Sequence, residues 1–95
     1  MKTLNISERY NHNHGIIHEI IEYNGFKFKI VAKLTNGSNE LYAEKMDKDG
    51  IFKFVLGKLD LDFEFRASYV SSESNKQADL KTGIDKMKVL IKKIY

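Results

Sequence analysis

Three dipeptides punctuate the middle of this chain: Asn24-Gly25, Asn36-Gly37 and Asp49-Gly50. Each can adopt the positive φ angles that tight two-residue hairpin turns need. A chain folded back on itself this often has little room for helix between the turns, so the segments between them are read as strands. Their patterning agrees. In the stretch from Phe26 to Leu34, Phe26, Phe28, Ile30, Ala32 and Leu34 alternate with Lys27, Lys29, Val31 and Lys33. Alternation with a period of two marks a strand with one buried face. Glu40–Met46 is a weaker example, with Leu41 and Ala43 opposed to Tyr42 and Glu44. Ile51–Leu56 sets Phe52, Phe54 and Leu56 against Lys53. After a weaker break at Gly57–Asp60, Asp62–Val70 sets Phe63, Phe65, Ala67 and Tyr69 against Glu64, Arg66 and Ser68. Four such strands joined by tight turns predict an antiparallel meander with one apolar face.

That face needs a cover, and the C-terminal segment offers one. Ser74 followed by Gln77 fits a helix capping box. Beyond it Leu80, Ile84, Met87, Ile91 and Ile94 recur at spacings of four, three, four and three, the narrow stripe of an amphipathic helix. Lys81, Lys88 and Lys92 line one flank of the stripe, and Lys86 and Lys93 the other. Gly83 is costly inside a helix, and its place near the stripe predicts a close approach to the sheet. Val89 falls opposite the stripe, on the exposed side. Gly15–Tyr23 fits two descriptions. As a strand it carries Ile17 and Ile21 on one face and Ile16 and Ile20 on the other. As a helix its four isoleucines form one stripe, with Gly25 as the cap. The β-branched residues and the following turn favour the strand.

The predicted fold is therefore α+β: a four- or five-stranded antiparallel meander with a C-terminal amphipathic helix packed on one face. The expected core includes Phe28, Ile30, Phe54, Phe65, Ile84, Met87 and Ile91. Ninety-five residues suit one domain, 1–95, with 1–13 expected as a flexible extension. No cysteine is present, which removes disulfides and thiolate metal sites and favours a cytoplasmic home. No apolar run approaches the roughly 20 residues of a membrane span, and the N-terminus has no apolar signal region, so no membrane partner is expected. Proline is also absent. Abundant Lys, Asn and Ile point to an AT-rich genome, bacterial or phage.

The chemistry-bearing residues are few. His12, His14 and His18 fall in one window, with Glu19 and Glu22 nearby. Even spacing puts all three histidines on one face of a strand, the geometry a zinc-like pair could use. Yet there is no H-E-x-x-H and no second group of ligands, and Asn11, Asn13 and Gly15 make the stretch read as a turn-rich loop. No metal site and no cofactor are predicted. The serines lie in no nucleophile motif, and the six glycines form no phosphate loop. The carboxylates of Asp60–Glu64 read as the polar side of an edge strand. Asp47–Gly50 resembles the start of a calcium loop but lacks its distal ligands, so it reads as a hairpin turn. No enzymatic activity is predicted.

Charge is placed unevenly. Residues 1–75 hold ten Lys/Arg and eleven Asp/Glu, whereas 76–95 hold six lysines and two aspartates, a local balance of +4. Cations near a helix C-terminus complement its dipole, and they also suit an acidic or nucleic-acid partner. Two surfaces are alternative candidates for binding a partner, the first ranked ahead of the second. The first is the outward side of the sheet, with Lys27, Lys29, Lys53 and Arg66. The second is the helix flank of Lys81, Lys88 and Lys92. The expected function is that of a small non-enzymatic binding protein that occupies a site on a nucleic-acid-processing protein or nucleoprotein complex, as phage-type inhibitors and accessory proteins do. The alternative is direct binding of single-stranded or non-specific nucleic acid. Against it stands the absence of stacking platforms unless Tyr42, Tyr23 or Tyr10 serves, since the phenylalanines are expected beneath the helix. An edge strand also offers a route to a homodimer.

Overall fold

A computed structural model describes residues 1–95. The chain forms five strands and one long helix: β1 (Lys2–Asn11), β2 (His14–Tyr23), β3 (Phe26–Thr35), β4 (Ser38–Met46), β5 (Phe52–Gly57), a 3₁₀ turn (Lys58–Leu61) and α1 (Glu73–Ile94). The strands form one antiparallel sheet in the order β1-β2-β3-β4-β5, each joined to its neighbour. Helix α1 lies across β2 and β3 on one side of this sheet. The architecture is the expected α+β meander with a covering helix. No helix is long and apolar enough to cross a membrane.

The turns do the work their residues allow. Asn24 and Gly25 both have positive φ, 52° and 83°, which closes β2 onto β3 with Tyr23 opposite Phe26. The β4–β5 loop is held by Asp47, whose Oδ1 accepts the amides of Asp49 (2.9 Å) and Ile51 (3.0 Å). Those bonds and Lys53 hold the Asp47 carboxyl below its ordinary pKa.

The core lies between sheet and helix. Ile17 and Ile21 of β2, Phe28, Ile30, Ala32 and Leu34 of β3, Leu41 and Ala43 of β4 and Leu56 of β5 are buried against Leu80, Ile84, Met87 and Ile91. Burying each large side chain contributes roughly 1.5–3 kcal/mol. Gly83 does approach the sheet closely: a Cβ there would lie 3.2 Å from the Phe63 ring and 3.3 Å from Leu41. The helix end is pinned by Tyr95, whose ring packs on Phe28 at 5.0 Å between centroids and whose carbonyl accepts from Asn24 Nδ2 at 2.8 Å. One ion pair is embedded in this interface. Glu19, 5% exposed beneath the helix, meets Lys88 and accepts a hydrogen bond from Thr3 Oγ1 at 2.9 Å.

Four expectations are corrected, while the strand favoured for Gly15–Tyr23 is present as β2. Residues 2–11, expected within a flexible extension, form the edge strand β1. Residues 63–70 alternate in burial but pair with no strand, because Asp79 Oδ2 takes the amides of Arg66 (2.9 Å) and Ala67 (3.1 Å), while Phe63 and Phe65 pack around Gly83 of the helix. The helix begins two residues earlier than expected, capped by Ser72, whose Oγ accepts from the Asn75 amide at 3.2 Å. Lastly, Phe54 is not in the core: it is 65% exposed, and Phe65 is only half-buried. Ile94 is likewise exposed, its place on the sheet taken by Tyr95.

The displacement of Phe54 has a local cause. Ala43 pairs with Leu56, but the next residue of β4, Glu44, pairs with Phe54, so Val55 is an extra residue in β5. A one-residue bulge reverses which side chains face the core. Leu56 therefore points inward, and Phe54 points to the side the helix leaves open.

Candidate functional site

The sheet face opposite α1 is covered by no other element. Its residues follow from the register. β1 contributes Asn5, Ser7 and Arg9, β2 His14, Ile16, His18 and Ile20, β3 Lys27, Lys29, Val31 and Lys33, β4 Glu40, Tyr42 and Glu44, and β5 Phe54. Val31, on the central strand, is fully buried although it faces this open side, flanked in the register by His18 and Tyr42. The face thus has a half-buried apolar centre of Ile16, His18, Ile20, Val31 and Tyr42 within a charged surround.

The charges are locally balanced. Lys27 stands opposite Glu22, Lys29 opposite Glu44 and Lys33 opposite Glu40, the last pair 3.6 Å apart. Arg9 has no carboxylate across from it; its neighbour in the register is Ile16. His18 sits between Ser7 and Val31, and its pKa is lowered by partial burial, then by the nearby Lys29 and Lys33, against a smaller opposing pull from Glu44. Ser7 and His18 are direct cross-strand neighbours on the adjacent strands β1 and β2.

At the β5 end the face becomes aromatic. Tyr42 and Phe54 lie with ring centroids 6.3 Å apart and planes tilted by 39°. Gly57 makes this possible, since a Cβ at that position would lie 3.2 Å from the Phe54 ring. Together with Leu59, which is 92% exposed, they border a hollow of about 410 Å³ whose rim carries Glu40, Lys58 and Asp60.

The residues expected to bind a partner do not form one surface. Lys27 and Lys29 lie on the open face. Lys53 pairs with Lys45 in the register, on the helix side of the sheet, and bonds Asp47 at 3.0 Å. Its position is another consequence of the Val55 bulge. Arg66 belongs to the irregular segment beside the first half of α1. On the helix flank, Lys81 pairs with Glu8 at 3.6 Å, Lys88 with the buried Glu19, and Lys92 is exposed without an ion pair. Two of those three lysines therefore hold the helix to the sheet. Of the histidines, His12 occupies the β1–β2 turn, while His14 and His18 lie on the open face, separated by four residues along β2. No three of the chain's His, Asp and Glu side chains are grouped as a metal ion would require.

Phe54 and the β1 residues Asn5, Ser7 and Arg9 are the members of the open face that the sequence pattern placed elsewhere. Strict alternation put Phe54 in the core, and the extension assigned to 1–13 hid Asn5, Ser7 and Arg9. The only local sign of the former is Gly57, a glycine within a strand, which often accompanies a bulge or a close approach. No protein-family model, no curated protein and no solved structure matches this chain.

Proposed function

We propose that this chain is a non-enzymatic binding protein whose working surface is the open face of its sheet, and that its target is a nucleic-acid-processing protein or nucleoprotein complex, on which it acts as a small inhibitor or accessory protein. The observation that carries this reading is the pattern of the open face: an apolar centre around Val31 ringed by alternating charges. An apolar core within a polar rim is the anatomy of a protein interface. The cross-strand pairs Lys27–Glu22, Lys29–Glu44 and Lys33–Glu40 dilute the positive field that a phosphate backbone would require, and they suit a partner with mixed charge. A rigid sheet also loses little entropy on binding.

A second reading, direct binding of single-stranded nucleic acid, gains support from one feature. Tyr42 and Phe54 stand side by side on the same face as Lys29, Lys33 and Arg9, the pairing of stacking platform and cation that single-strand binders use.

Capture from a lysate of the source organism, with and without nuclease, separates the two. The first reading expects a protein retained after nuclease treatment and lost with Lys27→Glu/Lys29→Glu, most strongly at low salt. The second expects an oligonucleotide to bind directly, with affinity falling steeply with salt and falling again with Phe54→Ala. Retention unaffected by either substitution would refute the open face as the working surface.

A further inference from the structure

The outer edge of β1 is the one long sheet edge in the molecule. It is ten residues long, exposed along most of its length, free of proline, and uncharged from Thr3 to Ser7. Natural edge strands are usually short or are protected by charge or proline.

Which groups this edge presents follows from the register. The type I′ turn at Asn24-Gly25 makes Tyr23–Phe26 a hydrogen-bonded pair, so the odd-numbered residues of β2 bond to β3 and the even-numbered ones bond to β1. Asn5, Ser7 and Arg9, which stand opposite Ile20, His18 and Ile16, therefore direct their N–H and C=O groups inward. Ile6, Glu8 and Tyr10 direct theirs outward, with no partner in the chain. The bulge at Leu4 ends the regular edge on the N-terminal side.

We infer that this edge pairs with the same edge of a second copy of the chain, antiparallel, about a two-fold axis at Ser7, to form a continuous ten-stranded sheet. Among the two-fold registers, this one alone avoids a like-charge contact and still makes two hydrogen-bonded pairs. It sets Ile6 opposite the second copy's Glu8 and Glu8 opposite its Ile6, four hydrogen bonds in all. Arg9 meets Asn5, and Tyr10 meets Leu4. Centring the axis on Glu8 would oppose two carboxylates, and centring it on Ile6 would leave one regular pair. Ile6 is 52% exposed at the edge of a hollow floored by Ile17 and Ile84, which the incoming strand would cover. Both helices then lie on one side of the joined sheet. Both open faces lie on the other, with Arg9 and His18 of each copy near the axis.

The chain has no cysteine, so single-cysteine variants test the register directly. Ser7 would sit on the axis in a non-hydrogen-bonded pair, with Cα atoms about 4.5 Å apart, within disulfide range. Two copies of Asn5 would be offset by four residues, more than 10 Å apart at about 3.4 Å per residue, and out of range. The expected result is that Ser7→Cys oxidises to a covalent dimer while Asn5→Cys stays largely monomeric, and that the unsubstituted protein sediments as a dimer at roughly 0.1 mM, where weak interfaces are populated. Ile6→Pro, which removes only an outward N–H, should retain the sheet signature in circular dichroism and sediment as a monomer. A monomeric unsubstituted protein at that concentration, or equal cross-linking at the two cysteine positions, would overturn the proposal.

Discussion

Replacing Lys88 by methionine should destabilise the protein far more than a surface lysine could, because Lys88 neutralises a carboxylate beneath the helix. Glu19 is 5% exposed, and the Lys88 side chain retains 24% of its exposure. An exposed ion pair contributes about 0–1 kcal/mol, but removing one partner of a buried pair costs about 3–5 kcal/mol because the other charge is left uncompensated. The partial exposure of Lys88 and the hydrogen bond from Thr3 to Glu19 place the expected cost near the lower end, about 3 kcal/mol. Methionine keeps most of the aliphatic stem, so little of this is lost packing. For a domain of this size it corresponds to a fall in Tm of about 12–24 °C. The double variant Glu19→Gln/Lys88→Met removes both charges and should return to within about 1 kcal/mol of the parent. Urea unfolding followed by circular dichroism gives all corners of the cycle. If Lys88→Met costs less than about 0.5 kcal/mol, or if the double variant costs the sum of the two singles, the pair is not buried and coupled, and Lys88 returns to the exposed flank as a candidate contact.

Phe28→Ala should cost about 3–5 kcal/mol, whereas Phe54→Ala, at a site 65% exposed, should cost about 1 kcal/mol or less; equal costs by urea titration would mean that β5 pairs without its bulge. His18 has a lowered pKa in the folded chain, so the unfolded chain binds its proton at higher pH. Stability is then fully present above about pH 6.5 and declines as pH falls through the window below it. His18→Asn should flatten that decline, measured as the difference in urea midpoint between about pH 5 and pH 7.5. Lys76 is fully buried, and its ammonium donates to the carbonyls of Tyr69 and Ser71, so Lys76→Met should loosen residues 63–71 and raise their amide exchange while β2 and β3 stay protected.

The meander was legible from short-range chemistry. Asn24-Gly25 requires a turn whatever surrounds it, because few other dipeptides accept two positive φ angles. The alternation from Phe26 to Leu34 and the stripe from Leu80 to Ile91 each state a period and a face, and both faces are buried as expected except at Phe26, which is exposed at the start of its strand. The close approach at Gly83 was also readable, since a glycine on an apolar stripe has few other reasons to be there.

What the sequence left open is what each face meets. Residues 63–70 alternate as a strand does, yet their apolar side chains meet a helix and their amides meet Asp79, because alternation reports a buried side without reporting the partner. β1 is nearly invisible as a pattern: it lies at the sheet edge beyond most of the helix, so burial imposes little periodicity on it, and only its register with β2 makes it a strand. The bulge at Val55 is set by how β5 must pair with β4 while directing Leu56 inward, a long-range constraint that no local run of residues records. That single inserted residue moves Phe54 from the core to the open face beside Tyr42 and moves Lys53 away from Lys27 and Lys29. The amino-acid order determined the turns, the periods and the fold class. Strand register, which depends on contacts between residues far apart in the chain, decided which side chains share the candidate binding surface.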